Sequence, residues 1–221
     1  MHGETVTRDN DRLKARLVER FGGAPLPDAA ACDHAHAARW SDFDLNPHAG
    51  HLRAEEATLR EAAVLMPIID RPAELTLLLT QRTQHLSAHA GQISLPGGRR
   101  EPEDSTPVET ALRETREEVG ILPEEVRVIG AMDCYETRTG FLITPIVGLV
   151  APDYTLVPNT NEVEEVFEVP LAFLLDPRNH KTHSREYKGM RYHFHAMPYH
   201  DYYIWGATAA MLKNLYRELM E

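Results

Sequence analysis

The stretch 106–120, TPVETALRETREEVG, constrains the fold more than any other, because both ends of a helix are written into it. Thr106 and Glu109 form a capping box around a proline at the first helical position, and Gly120 stands where a left-handed stop is expected. The pattern predicts a helix over 107–119. At a period of about 3.6 residues, Val108, Ala111, Leu112, Thr115 and Val119 share one face, which is expected to be the buried one. Glu114, Glu117 and Glu118, spaced i, i+3 and i+4, share another. Like charges at those spacings cost roughly 0.2–0.5 kcal/mol per pair on an exposed helix, and Arg113 and Arg116 offset only part of it. Oxygen-only ligation of this kind suits Mg²⁺ or Mn²⁺. A solvated acidic face is the alternative reading of the three glutamates alone.

Around this helix the chain alternates strands and helices. Residues 10–21 (NDRLKARLVERF) read as a short amphipathic helix closed by Gly22 and Gly23. Residues 24–53 read as an irregular lead-in whose His34 and His36 are surface histidines. The apolar runs 62–70 and 75–82 predict two adjacent strands joined by a turn at Arg71-Pro72-Ala73-Glu74. Residues 127–135 and 141–150 are further strands, the second so apolar that it belongs at the centre of a sheet. A short helix is expected at 170–175, a strand or hairpin around Gly189 at 187–197, and a closing amphipathic helix at 203–220. Such an order argues an α/β fold, a mixed sheet covered on both faces. It divides into an N-terminal helix and lead-in over 1–60 and a main domain over 61–221.

Pro96-Gly97-Gly98 precedes the acidic helix, and consecutive glycines allow backbone amides to approach a ligand closely. The segment 91–121 resembles the Nudix box, G-x5-E-x7-R-E-U-x-E-E-x-G-U, where U is a bulky aliphatic residue. Arg113-Glu114-Thr115-Arg116-Glu117-Glu118-Val119-Gly120-Ile121 supplies its second half, with Thr115 at an aliphatic position. The first half departs: Ser105 holds the expected glutamate position, and Asp104 lies one residue early. Upstream, Leu78, Leu79, Thr80, Arg82, Gly91, Pro96, Gly97 and Gly98 match L-L-T-x-R-[S/A]-x3-R-x3-G-x3-F-P-G-G, the signature of the coenzyme A pyrophosphatase branch. Thr83, Ser87 and Leu95 depart from it.

The resemblance implies a Nudix-type α/β/α sandwich with a mixed β-sheet, and a pyrophosphohydrolase that cleaves coenzyme A or its derivatives to 3′-phospho-ADP and phosphopantetheine. It implies Mg²⁺ or Mn²⁺ at Glu114, Glu117 and Glu118, with Arg113 orienting a glutamate and Glu114 or Glu117 as base. Arg82, Gly97 and Gly98 are the implied substrate contacts, with Arg99 and Arg100 as weaker phosphate partners. A further acid from a late loop is implied too, for which Glu165 in the run Glu162, Glu164, Glu165 is the candidate. An ADP-ribose or other nucleoside diphosphate hydrolase, and a non-catalytic binding module on the same fold, are the rival readings.

The net charge of −11 opposes attachment to nucleic acid or to an anionic membrane. The partner that the resemblance implies is a small nucleotide of the coenzyme A type, with a homodimer left open. No apolar run approaches a membrane span and the N-terminus lacks signal-peptide character, which predicts a cytoplasmic protein. Cys32 and Cys134 show no CxxC spacing and are expected to be free thiols. His180, His183, His193, His195 and His200 fit no ligand spacing and read as scattered strand and loop histidines.

Overall fold

Alternate residues of the stretch Arg60–Asp70 face opposite ways, and both sets are apolar and buried: Ala63, Leu65 and Ile69 on one side, Val64, Met66 and Ile68 on the other. A strand of this kind demands a covering layer on each face. The computed structural model describes residues 2–23, 25–27, 40–52, 59–85, 90–187 and 189–221. In chain order it runs α1 (His2–Phe21), β1 (Trp40–Ser41), β2 (Arg60–Asp70), β3 (Leu75–Arg82), β4 (Ile93–Ser94), β5 (Gly97–Arg99) and α2 (Pro107–Val119). Then follow β6 (Val126–Ala131), β7 (Tyr135–Glu136), β8 (Phe141–Val150), β9 (Val163–Pro170), α3 (Leu171–Leu174), β10 (Lys181–Tyr187), β11 (Met190–Tyr199), β12 (Tyr202–Trp205) and α4 (Gly206–Met220).

The main sheet has the order β1-β7-β8-β2-β3-β4, with β5 added on β2, β6 on β8 and β9 on β3. β2 and β8 run parallel from the pair Arg60 and Phe141 to the pair Ile69 and Val150, while β2 pairs antiparallel with β3 and β5, which makes the sheet mixed. Ala111 and Val119 of α2 cover one face together with Leu65, Ile69, Ile146 and Val150. Leu17 and Phe21 of α1 and Leu212 and Leu215 of α4 cover the other, over Met66, Ile68, Leu77 and Val147. The expected sandwich of helices around a mixed sheet is therefore present. β10, β11 and β12 form a separate three-stranded antiparallel sheet.

The acidic helix has the ends its sequence predicts. The Thr106 hydroxyl accepts from the Glu109 N–H at 3.2 Å, Pro107 opens the helix, and Gly120 closes it at φ 81° with its N–H on the Arg116 carbonyl. Other expectations need correction. The first helix is already under way at His2, and the expected strand 127–135 is broken into β6 and β7. Residues 202–205 are strand β12, not the start of the last helix, because they pair with β11. Glu164 and Glu165, read as part of an acidic loop, and Pro170, read as the start of a helix, belong to β9, which pairs with β3. The lead-in contributes β1, paired parallel with β7, and a 3₁₀ turn at Pro47–Leu52; its residues 28–39, with His34 and His36, lie outside the described residues. Cys134 is disulfide-bonded, not a free thiol; the chain's other cysteine, Cys32, is outside the described residues. Pairing of cysteines depends on distance in space, which local spacing does not report.

At Gly120 a side chain would need a left-handed backbone and would place its Cβ 2.8 Å from the Val157 backbone nitrogen. Gly120→Ala should cost about 2 kcal/mol of stability, read by chemical denaturation, with no change in the far-UV spectrum of the native state.

Candidate active site

Arg113 organises the acidic face. Its Nε donates to Asp104 Oδ1 at 3.0 Å and its Nη2 to Asp104 Oδ2 at 2.8 Å and to the Arg99 carbonyl at 3.1 Å. Its Nη1 donates to Glu114 Oε1 at 3.0 Å and Glu117 Oε2 at 3.2 Å, so every N–H of the guanidinium is used. Asp104 is buried, and its Oδ2 also accepts from the Glu101 N–H and the Thr110 hydroxyl. The Arg113 hydrogen bonds, then those from Glu101 and Thr110, hold the Asp104 carboxyl down at about 2. The acid one residue early in the sequence is thus the one that grips the arginine, while Ser105 instead donates its N–H to Glu109.

The glutamates do not share one environment. Glu117 is exposed, Glu114 is half-buried and Glu118 is buried, which corrects the expectation that only the apolar face goes inside. Two features enclose Glu118: the Gly97 N–H donates to its Oε2 at 3.2 Å, and Arg82 Nη1 reaches its Oε1 at 3.4 Å. Burial pushes its carboxyl up to about 8, against the Gly97 and Arg82 contacts and with help from the charges of Glu114 and Glu162. Burial also raises Glu114, despite Arg113. Gly98 lies so close that a Cβ there would sit 2.5 Å from Glu114 Cδ. The pairing of β5 with β2 presses this glycine turn onto the helix.

A cleft of about 400 Å³ opens beside the turn, lined by Arg82, Gly97, Gly98 and Arg99 among others. Arg100 does not line it; its guanidinium is held by Glu61 at 2.5 Å and by the Asp104 carbonyl. Leu95, where the signature has Phe, is buried in the core and also borders the cleft. Ser87 lies outside the described residues. Glu165 sits on β9 rather than a loop, and its carboxylate accepts from the Tyr202 hydroxyl at 2.6 Å. Glu162, passed over in the sequence reading, is the member of that run whose charge reaches both Glu114 and Glu118. It is brought there by the hydrogen bond from the Thr83 N–H to its carbonyl, a tertiary contact with no local sequence signal.

The donor set fits a hard divalent cation: Glu114, Glu117 and Glu118 offer oxygens only, and burial, with a smaller contribution from neighbouring carboxylates, makes the charged forms of Glu114 and Glu118 costly unless a cation stands beside them. Their carboxylates are held by Arg113, Arg82 and the Gly97 N–H, and among the described residues no three His, Cys, Asp or Glu side chains converge into a ready-made cage.

Residues 58–190 match the NUDIX domain, and the chain belongs to that family: it is a Nudix hydrolase, a pyrophosphohydrolase of a class that generally uses divalent metal ions. It is 42% identical over 163 residues to "Uncharacterized Nudix hydrolase NudL" of Yersinia enterocolitica, covering 74% of this chain and 83% of that one. The protein of the same name in Yersinia pestis is 40% identical over 169 residues, covering 76% and 84%. Among solved structures, a Nudix hydrolase from M. smegmatis, RenU, is similar with a TM-score of 0.44 and 24% identity, over 51% of this chain and 71% of that chain. No helix among the described residues is long and apolar enough to cross a membrane.

Two stability measurements test the electrostatics. Pairing lowers Asp104 from its usual 3.8 to about 2, so its contribution is present above pH 4 and is lost as pH falls toward 2. Asp104→Asn should therefore cost at least about 2 kcal/mol at neutral pH, and the gap to the parent should close as pH falls through that window. Glu118 has the opposite sign, because its folded value lies above the usual 4.5. In chelator, the parent should lose stability as pH rises from about 4.5 to about 8, and Glu118→Gln should flatten that slope.

Proposed function

We propose that this Nudix hydrolase cleaves the pyrophosphate bond of coenzyme A or its derivatives, giving 3′-phospho-ADP and phosphopantetheine. The observation that carries this reading is the glycine turn pressed against the Glu114 and Glu118 carboxyls at a cleft that also has Phe141 and Trp205 on its walls. A diphosphate seated on the turn leaves aromatic surface for the attached nucleotide. The coenzyme A signature around Arg82 and Gly97-Gly98 supplies the choice of nucleotide.

Phosphoric anhydrides resist water because their anionic oxygens repel a nucleophile, and Mg²⁺ or Mn²⁺ at Glu114, Glu117 and Glu118 would neutralise that charge and acidify a bound water. The chain's own residues do the rest of the work in this reading. Backbone N–H groups around Gly97 and Gly98 seat the diphosphate, and Arg82 contacts a phosphate or the ribose. Arg113 fixes Glu114 and Glu117, either of which can accept the proton of the attacking water. For the further acid we favour Glu162 over Glu165, since Tyr202 already holds Glu165. We assign the chemistry to residues 61–221, with 1–60 as an N-terminal helix and lead-in, of which α1 packs on the sheet through Leu17 and Phe21.

Purified protein with Mg²⁺ or Mn²⁺ and a panel of coenzyme A, acyl coenzyme A, ADP-ribose and dinucleotides should release 3′-phospho-ADP, identified by mass, from the coenzyme A compounds in preference. Glu118→Gln should lower kcat by about a hundredfold or more with an unchanged circular dichroism spectrum. Preference for ADP-ribose would overturn the substrate assignment.

A further inference from the structure

The cleft that starts at the glycine turn extends well beyond the residues the reaction needs. Gly97 is opposite Val64 on β2 and Phe141 is opposite Arg60 on the other side of that strand, so Phe141 is displaced four residues, about 13 Å, along the strand direction from the turn. The same cleft is lined by Arg138, Arg185 and Trp205. None of the three belongs to the acidic helix, the glycine turn or the motif around Arg82.

Each of these arginines packs against an aromatic ring. Arg185 on β10 is directly across from Tyr192 on β11, and the Arg138 guanidinium lies 5.2 Å from the Tyr192 ring. The Arg185 guanidinium lies 5.1 Å from the ring of Trp205, which is itself packed edge-on against Phe194 at 5.4 Å. The Arg138 loop is fixed from behind: its N–H donates to Asp42 Oδ2 at 2.8 Å, and Asp42 Oδ1 accepts from Tyr135 at 2.8 Å. Asp42 also borders the cleft, so its carboxylate is the local counter-charge. Two guanidinium groups lining one cleft in a strongly acidic chain can make an anion seat, and planar forked donors suit phosphate.

We propose that Arg138 and Arg185 form a second phosphate seat, with Trp205 as the adjoining aromatic surface, that selects nucleotides carrying a phosphate monoester on the ribose in addition to the diphosphate. This rests on the coenzyme A reading and deepens it, because the seat would separate coenzyme A from its analogue lacking the 3′-phosphate. Both residues are specificity determinants; neither takes part in bond cleavage.

The test compares coenzyme A with dephospho-coenzyme A under Mg²⁺. Arg185→Ala should raise KM for coenzyme A about tenfold with kcat nearly unchanged, and leave the kinetics of dephospho-coenzyme A as in the parent. Arg138→Gln, with circular dichroism to check folding, should act in the same direction. Equal effects of Arg185→Ala on the two substrates, or no effect on either, would overturn the seat while leaving the coenzyme A reading intact. Calorimetric binding of adenosine 3′,5′-bisphosphate against AMP tests the seat separately from turnover. Tighter binding of the bisphosphate by the parent, lost in Arg185→Ala, would support the seat even if neither coenzyme A compound were hydrolysed, a result that would sink only the substrate reading. Equal affinity for the two nucleotides would overturn the seat.

Discussion

The ion pair between Arg113 and Asp104 decides the shape of the acidic face. A buried carboxylate is expensive to desolvate, and it is tolerated here because a forked guanidinium, a backbone N–H and a threonine hydroxyl together satisfy its oxygens. The same guanidinium then has donors left for Glu114, Glu117 and the Arg99 carbonyl. One residue thus ties the helix, the loop before it and the strand carrying the glycine turn into a single unit. Without it, like charges one turn apart would spread into solvent, each following its own rotamer preferences.

The second constraint is distance. β5 is only three residues long, yet it must bring a backbone over α2 closely enough for the Gly97 N–H to bond Glu118. Any side chain at Gly98 would collide with the Glu114 carboxyl. The approach is possible because β2 is buried on both faces: α2 lies flat against one of them, and β5 pairs along the same strand. Burial of Glu118 follows from this geometry, and so does its elevated pKa. The fold therefore creates an electrostatic imbalance at one chosen point instead of distributing it over a solvated surface.

How far the sequence reveals this depends on whether the cause is local. Thr106, Pro107 and Gly120 act within a turn of the helix, so its ends were legible residue for residue. The apolar runs of β2, β3 and β8 were legible because both faces are buried, and their order around the helix gave the sandwich. β9 was not, since Glu164, Glu165 and Glu168 look like a solvated loop until Arg71, Thr76 and Tyr154 are found to hold Glu168 from other elements. β12 is four residues of strand only by virtue of β11. The unequal burial of the glutamates and the relevance of Glu162 escaped for the same reason. They are set by β5 and by the Thr83 contact, which no periodicity encodes.

A chain with a net charge of −11 has to attract a polyanion, and the placement of its cations shows how. Screening limits the reach of a surface charge to about 8–10 Å at physiological salt, so the total matters less than what lies within that radius of the ligand. Arg82, Arg99, Arg138 and Arg185 all line one cleft, with Glu118 beside Arg82 and Asp42 beside Arg138, while Arg71, Arg100 and Arg178 pair with Glu168, Glu61 and Asp176 elsewhere. In the proposed reading the acidic excess would favour a cation at the glutamate face, while the arginines of the cleft next to it would favour the anion. Two segments with separate structural origins divide the work. α2 and β5 hold the carboxylates and the glycine turn, and β10 with β12 carries Arg185 and Trp205. In the proposed reading, substitutions in the second group would alter which nucleotide is accepted while the residues of the first are left in place.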